Sequence, residues 1–199
     1  MSDNISLKYS VLFPLYFKDK AEWFIYAMDS ILNQTVMPDE IVIVGDGALT
    51  DELINAINNY EKKYPELFKV TIFDENRGLG KVLADGINLC SNELIARMDA
   101  DDYCLPTRCE EQLKIFESNP EIDLVGTNVD EFYDNIDNVV AHVILPESHE
   151  QIYKFAKKRC PIRHPSLMYK KSKVLESGNY RDFWHGQDYN LVVHMLLHN

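Results

Sequence analysis

The sequence lacks any long apolar run. None of its segments approaches the roughly 18 consecutive apolar residues that a membrane-spanning helix requires. Its first residues, Met-Ser-Asp-Asn-Ile-Ser, also lack the basic and apolar pattern of a secretory signal. We therefore expect no transmembrane segment and a cytoplasmic location.

Basic residues and cysteines are both scarce. Only 20 Lys and Arg residues stand against 32 Asp and Glu residues, and the formal net charge is −12. A protein that binds nucleic acid generally carries a basic surface, so nucleic acid is not an expected partner. The four cysteines, at positions 90, 104, 109 and 160, show no paired metal-ligand spacing and are predicted to be reduced core residues.

Short apolar runs alternate with amphipathic segments along the first hundred residues. Runs at 9–13, 41–44, 70–73 and 94–98 predict buried strands, and the segments between them predict helices, the first of them capped by Asp19 and Glu22. This alternation predicts an α/β fold whose mostly parallel central sheet carries helices on both faces.

The pattern changes after residue 104. Residues 106–117 predict a helix, and residues 122–129 predict a further central strand. Short strand-like pieces at 139–145 and 162–169, separated by a helix near 150–158, predict a small antiparallel addition. No internal repeat, low-complexity tract or linker is visible, so residues 1–199 are predicted to form a single domain.

Polar or glycine-rich residues follow each of the first four predicted strands. They are Pro14-Leu15-Tyr16, Gly45-Asp46-Gly47, Asp74-Glu75-Asn76-Arg77-Gly78 and Asp99-Ala100-Asp101-Asp102. Each could by itself be ordinary loop sequence. Parallel strands end at one edge of a sheet, and ligands of such folds bind at that edge. The presence of polar or glycine-rich residues at all four strand ends therefore predicts a binding site there.

The most distinctive of these strand ends holds three carboxylates, Asp99, Asp101 and Asp102, within four positions. Like charges at such short range repel, most strongly where water is partly excluded. A divalent ion such as Mg²⁺ or Mn²⁺, which prefers carboxylate and phosphate oxygens, would remove that repulsion. A solvated acidic turn before the helix that starts near Pro106 explains the same residues, and the sequence leaves both interpretations open.

Taken together, the motifs resemble those of the family-2 glycosyltransferases, which have the glycosyltransferase A (GT-A) nucleotide-diphospho-sugar transferase fold. The resemblance spans nearly the whole chain. It rests on the order and spacing of Ser10-Val11-Leu12-Phe13-Pro14, Ser30-Ile31-Leu32-Asn33-Gln34-Thr35, Asn76-Arg77-Gly78-Leu79-Gly80, Ala96-Arg97-Met98-Asp99-Ala100-Asp101-Asp102, His164-Pro165-Ser166 and Gln187-Asp188-Tyr189-Asn190-Leu191.

The resemblance implies a role for each matching residue. The nucleotide would bind at Pro14, Asp46, Asn76, Arg77 and Gly78, with Asp99 near the ribose. Asp101 would hold Mn²⁺ or Mg²⁺ on the diphosphate, and Asp188 would be the catalytic base. Contacts to the diphosphate or acceptor would come from Asp102, His164 and Gln187. A histidine beside a proline is equally often a buried hydrogen-bonding residue.

The chain departs from the family pattern at two positions. Gly45 stands where many relatives carry an acidic residue, which puts one base or ribose contact, and therefore the choice of donor, in doubt. Gln187 replaces a common glutamate, and it can hydrogen-bond a sugar but cannot ionise. Asp188, the carboxylate that the chemistry needs, is present.

The implied activity is an inverting, metal-dependent transfer of sugar from a nucleotide-sugar, usually a UDP-sugar, to a hydroxyl of a glycan or lipid-linked acceptor, as in cell-surface polysaccharide synthesis. The nucleotide-binding half would cover residues 1–104 and the acceptor half residues 105–199. Related proteins often continue with acceptor-side or membrane-associated elements, so a catalytic core that continues past Asn199 and works at the inner face of the membrane is compatible with the sequence.

Two other classes of function are compatible with parts of the sequence. A nucleotidyltransferase-like enzyme could share the acidic strand end, but it would be expected to carry a basic, glycine-rich triphosphate loop near the N-terminus, and none is visible. A non-catalytic sugar-binding relative is disfavoured by the presence of Asp101 and Asp188.

Overall fold

A computed structural model describes residues 7–183 and 185–198. The strands are β1 (Tyr9–Tyr16), β2 (Glu40–Asp46), β3 (Phe68–Ile72), β4 (Leu94–Arg97), β5 (Leu124–Val125), β6 (Val129–Phe132), β7 (Val139–Val143) and β8 (Met168–Lys170). The helices are α1 (Ala21–Leu32), α2 (Asp51–Lys63), α3 (Leu79–Leu89), α4 (Arg108–Ser118), α5 (His149–Ala156), α6 (Lys171–Glu176) and α7 (Gln187–His198), and a short 3-10 helix spans His164–Ser166.

The central sheet has six strands in the order β3-β2-β1-β4-β8-β5. Strands β1 to β4 pair in parallel, and β8 runs antiparallel to both β4 and β5. Strands β6 and β7 form a separate antiparallel hairpin. The predicted α/β fold, with a mostly parallel sheet and a small antiparallel addition, is confirmed.

Side chains alternate between two apolar cores, one on each face of the sheet. In β2, Ile41 and Ile43 belong to one core, and Val42 and Val44 belong to the other. Successive residues of a strand point to opposite faces, so a strand covered on both faces must be apolar at consecutive positions. Helices α1, α2 and α4 contribute to the first core, and α3, α6 and α7 contribute to the second.

The predicted central strand at 122–129 is wrong. Residues Leu124–Val125 alone form a strand of the sheet there, and it lies at the edge. Strand β8 takes the inner position because its Met168 and Tyr169 side chains are fully buried, whereas Leu124 and Val125 are only partly buried. Packing on both faces decides which of two short apolar segments lies inside.

The predicted cap of the first helix is also wrong. Lys20 is the residue that precedes α1, and no side chain caps this helix end. Asp19 instead accepts a hydrogen bond of 2.8 Å from the Tyr16 backbone N–H, so its carboxylate folds back onto the end of β1. Throughout the part of the chain that the structure describes, each helix is too short or too polar to cross a membrane.

Candidate functional site

A cavity of about 690 Å³ opens at the edge of the sheet where β1, β2 and β4 end. Residues from these strand ends, from the start of α3 and from the segment before α7 line it. The lining residues are Pro14, Leu15, Tyr16, Asp19, Asp46, Asn76, Arg77, Gly78, Leu79, Gly80, Lys81, Val82, Asp99, Ala100, Asp101, Asp182, Phe183, His185 and Gln187. The structure therefore brings eight of the predicted site residues into one cavity.

The carboxylate of Asp46 organises one wall of this cavity. It accepts a hydrogen bond of 2.6 Å from the Arg77 backbone N–H and one of 3.1 Å from the Gly78 backbone N–H. The Asn76 side chain donates to the Asp46 carbonyl oxygen at 3.4 Å. Asp46 is buried, so a large part of its hydrogen-bonding capacity holds the loop at residues 76–78 in place.

Two glycines allow this loop to approach the end of β2. Gly47 has a φ of +83°, and a β-carbon there would lie 2.9 Å from the Asn76 backbone nitrogen. Gly78 has a φ of +86° and immediately precedes α3. Both positions require glycine because other residues rarely adopt a positive φ, and Gly47 also leaves no room for a side chain.

The Arg77 guanidinium is held on one side of the cavity. It forms an ion pair of 2.7 Å with Asp85 of α3 and stacks over the Phe73 ring at 4.5 Å. The prediction that Asp46 and Arg77 share one pocket agrees with this geometry, since both residues line the same cavity. A fixed guanidinium can stack on a base or meet a phosphate.

Carboxylates crowd the opposite wall, where β4 ends. Burial raises the pKa of Asp102 to about 6, and the neighbouring Asp99 and Asp101 carboxylates contribute to the increase. Burial also raises the pKa of Asp19, again with contributions from Asp101 and Asp99. The four carboxylates therefore repel one another in a partly dry site, which favours a bound cation.

Two arginines hold the end of β4. Arg97 is almost completely buried, and its guanidinium pairs with the Asp99 carboxylate. Burial by itself would lower the pKa of Arg97, but the adjacent Asp99 outweighs that effect and raises it. Arg108 donates to the carbonyl oxygens of Arg97 and Leu167, at 2.9 Å and 3.1 Å.

The donor set fits a divalent ion that a ligand completes. Within residues 7–183 and 185–198, no three His, Cys, Asp or Glu side chains are grouped so that they alone could hold a metal ion. Asp99 is committed to Arg97, whereas Asp101 is exposed and lines the cavity. Mg²⁺ and similar ions are commonly held by one or two carboxylates together with substrate phosphates, which matches Asp101 at this position.

Three predicted site residues, Asp102, His164 and Asp188, are absent from the cavity lining given above. His164 is buried, and its Nε2 atom lies 2.7 Å from the Tyr180 hydroxyl. Burial, together with the nearby Arg97, lowers the pKa of His164 well below its ordinary value. This placement matches the alternative of a buried hydrogen-bonding histidine, and the contact to diphosphate or acceptor stays a prediction.

Asp188 lies in the first turn of α7, next to Gln187, which does line the cavity. Burial is the main cause that raises the pKa of Tyr180, and Asp188 contributes to the increase. Asp188 therefore lies near Tyr180, whose hydroxyl contacts His164, and one residue away from the cavity wall at Gln187.

Six further lining residues with polar or aromatic side chains were not among the predicted site residues. They are Tyr16, Asp19, Lys81, Asp182, Phe183 and His185. Lys81 and Asp182 form an ion pair of 2.9 Å that links α3 to the segment before α7. Tyr16 and Asp19 follow Pro14 at the first strand end, and this position was the signal that could have indicated them.

The fold and the cavity define an α/β protein with a ligand-sized site at the ends of its parallel strands, and sequence comparison identifies the family. The profile of the family described as "Glycosyl transferase family 2" matches residues 10–176. The chain therefore belongs to glycosyltransferase family 2 and is a glycosyltransferase.

Curated relatives match most of the chain. An uncharacterised glycosyltransferase of Haemophilus influenzae is 37% identical over 96% of this chain and 70% of its own length. The amylovoran biosynthesis glycosyltransferase AmsE of Erwinia amylovora is 35% identical over 94% of this chain and 69% of its own length. The UDP-Gal:alpha-D-GlcNAc-diphosphoundecaprenol beta-1,3-galactosyltransferase of Escherichia coli is 34% identical over 98% of this chain and 70% of its own length.

Solved structures confirm the GT-A fold. S. aureus TarS 1-349, in complex with UDP-GlcNAc, superposes with a TM-score of 0.72 at 17% identity, over 96% of this chain and 54% of that protein. The mannosyltransferase PcManGT of Pyrobaculum calidifontis, in complex with GDP-Man and Mn²⁺, superposes with a TM-score of 0.70 at 15% identity, over 96% of this chain and 53% of that protein. The chain thus spans about half the length of these two proteins.

Proposed function

We propose that this chain is the catalytic core of an inverting, metal-dependent transferase that moves a sugar from a UDP-sugar to an acceptor hydroxyl. The observation that carries the proposal is the single cavity in which the Asp46-organised loop faces the carboxylates at the end of β4. One wall suits a nucleoside, and the other suits a cation on a diphosphate.

The nucleotide would bind along the first wall. Pro14 and the backbone of residues 76–78 provide a surface close to the sheet edge, and Arg77 provides a fixed cation. Asp46 retains acceptor capacity for a base N–H beside the backbone bonds that it already accepts. Asp99, held by Arg97, would accept from the ribose hydroxyls.

Asp101 is the residue that would hold Mn²⁺ or Mg²⁺. When bound, such an ion supplies positive charge that stabilises the leaving diphosphate. The names of two comparison proteins support a UDP-sugar, since the E. coli relative is named for UDP-Gal and the TarS structure contains UDP-GlcNAc. The complex of PcManGT contains Mn²⁺.

Asp188 would take the proton from the acceptor hydroxyl as that oxygen attacks the anomeric carbon from the face opposite the diphosphate. A single carboxylate suffices for this role. Gln187, which lines the cavity one residue earlier, would hydrogen-bond a sugar hydroxyl and orient it. Asp102, which follows β4, and His164, in the 3-10 helix, would support the part of the site that binds the diphosphate.

The acceptor would be a glycan or a lipid-linked sugar. The E. coli relative is named for GlcNAc-diphosphoundecaprenol, and the E. amylovora relative for amylovoran biosynthesis. In this proposal residues 1–104 bind the donor, residues 105–199 face the acceptor, and the protein works at the cytoplasmic face of the membrane.

A thermal-shift panel of nucleoside diphosphates and nucleotide-sugars, with and without Mn²⁺, tests the donor assignment. A ligand that binds only the native state raises the melting temperature by mass action. We expect UDP and at least one UDP-sugar to stabilise the protein in a Mn²⁺-dependent manner, and release of UDP when GlcNAc-diphospholipid is added with that donor. If GDP or ADP compounds alone stabilised the protein, the UDP-sugar assignment would be wrong.

A further inference from the structure

A second charged feature lies outside the donor cavity. Residues 151–175 contain no Asp or Glu, but they contain eight of the 20 basic residues of this acidic chain. They are Lys154, Lys157, Lys158, Arg159, Arg163, Lys170, Lys171 and Lys173. Such a concentration of positive charge in a chain of negative net charge indicates a role in electrostatic binding.

The fold divides these cations between the two edges of the sheet. Strand β8 runs antiparallel to β4, with Met168 opposite Ala96 and Lys170 opposite Leu94. The start of β8, and with it the residues just before the strand, therefore lies at the edge where the donor cavity opens. Lys171 lies at the other edge, where its Nζ donates to the Cys90 carbonyl oxygen at 2.6 Å.

Three of these eight cations are exposed and free of acidic partners. Lys154 pairs with Glu150, and Arg163 pairs with Glu131 at 3.4 Å. Among the residues that the structure describes, no carboxylate pairs with Lys157, Lys158 or Arg159, which are all exposed. Their charge is thus available to a ligand.

The three residues form a short segment whose ends are anchored. Lys157 stacks over the Tyr153 ring and Arg159 over the Phe155 ring, each at 4.9 Å. The backbone N–H groups of Lys158 and Arg159 both donate to the Phe155 carbonyl oxygen. Aromatic rings position a cation without neutralising it, so the segment retains its positive charge.

The segment also lies beside the residue assigned as the base. The Tyr189 hydroxyl donates to the Ala156 carbonyl oxygen, which joins the first turn of α7 to the end of α5. Burial raises the pKa of Cys160, and the nearby Asp188 carboxylate contributes to the increase. Ala156 and Cys160, the residues on either side of 157–159, therefore lie near the first turn of α7, which carries Asp188. Residues 157–159 are not among the residues that line the donor cavity.

We propose that Lys157, Lys158 and Arg159 bind the phosphate groups of the acceptor while its sugar presents a hydroxyl to Asp188. This inference rests on the proposed function and makes it more specific, because the acceptor becomes a glycosyl phosphate or diphosphate. The donor diphosphate enters an acidic wall and needs a metal ion, whereas the acceptor phosphate meets cations directly. The two diphosphates are thereby kept in separate places.

The test compares two variants with the same change in net charge. The first replaces Lys157, Lys158 and Arg159 by Gln. The matched control replaces Lys8, Lys62 and Lys63 by Gln, and these exposed residues lie before β1 and at the end of α2, at the opposite edge of the sheet. Binding of butyl diphosphate is followed by ³¹P NMR in metal-free buffer with EDTA.

We expect the parent and the control variant to bind butyl diphosphate equally and the first variant to bind it at least about tenfold more weakly, because three charge-assisted contacts are lost. In transfer assays the parent should prefer GlcNAc-diphosphoryl-alkyl over the alkyl glycoside of GlcNAc. In the first variant this preference, expressed as the ratio of kcat/KM values, should fall towards one, mainly through a higher KM.

Equal binding of butyl diphosphate by the parent and both variants would overturn the inference. Sedimentation with vesicles of phosphatidylcholine and phosphatidylglycerol separates the acceptor phosphate from a membrane surface. If the first variant lost vesicle binding but bound butyl diphosphate like the parent, the segment would be a membrane contact and the inference would be wrong. Mn²⁺-dependent UDP binding is measured in parallel, and its absence in the parent would count against the donor function only.

Discussion

The buried guanidinium of Arg97 pairs with the Asp99 carboxylate at the end of β4, with side-chain exposures of 1% and 30%. Two residues further on, Asp101 is exposed, and no cation among the described residues pairs with it. The two aspartates of one motif therefore differ in role. Asp99 balances a charge inside the fold, and Asp101 is available to a ligand.

This difference predicts unequal effects on stability. Asp99→Asn should lower the free energy of unfolding by about 2 kcal/mol, because removing one partner leaves a buried charge uncompensated and partial exposure reduces the cost. Asp101→Asn should change it by less than about 0.5 kcal/mol. Urea unfolding in metal-free buffer measures both, and equal effects of the two substitutions would contradict the assignment.

Asp101→Ala should weaken Mn²⁺-dependent UDP binding while the fold stays intact. Loss of this carboxylate removes the protein ligand that we assign to the ion and relieves repulsion among its neighbours. Calorimetric titration of UDP with Mn²⁺ should show at least about a tenfold loss of affinity. With EDTA, parent and variant should bind UDP alike. Equal Mn²⁺-dependent affinity in the two proteins would refute the metal assignment.

Asp188→Asn should abolish most of the transfer without affecting the donor. An aspartate in the first turn of α7 could simply stabilise the helix end. Asparagine caps a helix about as well as aspartate, but it cannot accept a proton, so loss of a base should cost a factor of ~10²–10⁴ in rate. Steady-state transfer and UDP-sugar affinity are measured together. Near-parental transfer would show that Asp188 has only the structural role.

His164 should make the protein less stable as the pH falls. Its pKa is lowered in the folded state, chiefly by burial, so the native imidazole stays neutral while the unfolded chain takes up a proton below about pH 6.5. The unfolded state then binds more protons, and stability present above that pH is lost below it, by up to about 2 kcal/mol between pH 7 and pH 5.

The slope, and not the absolute stability, identifies this effect. His164→Gln should flatten the dependence of the unfolding free energy on pH between 7 and 5, even if the substitution itself costs stability. His149→Gln, which replaces an exposed histidine, should keep the parental slope. Denaturant unfolding at several pH values measures all three proteins, and a parental slope in His164→Gln would rule out the contribution of this residue.

Local patterns in the sequence were sufficient for much of the fold. Four apolar runs separated by amphipathic segments predicted β1 to β4 and the helices between them. A continuous apolar run indicates a strand that is buried on both faces, and a 3.6-residue period indicates a helix that is buried on one face. The same patterns placed Asp46, Arg77 and Asp101 at strand ends, and parallel pairing brings such ends to one edge. The sequence by itself thus determined the class of fold and the edge at which the cavity opens.

Tertiary packing decided the remaining features, since they depend on pairs of residues far apart in the chain. The insertion of β8 between β4 and β5 follows from burial on both faces, which no local pattern specifies. The burial of Arg97 beside Asp99 and the burial of His164 against Tyr180 both result from the packing of separate segments of the chain. The approach of the end of α5, just before residues 157–159, to the first turn of α7 likewise depends on a contact between segments far apart in the chain, and it exists only in the folded protein.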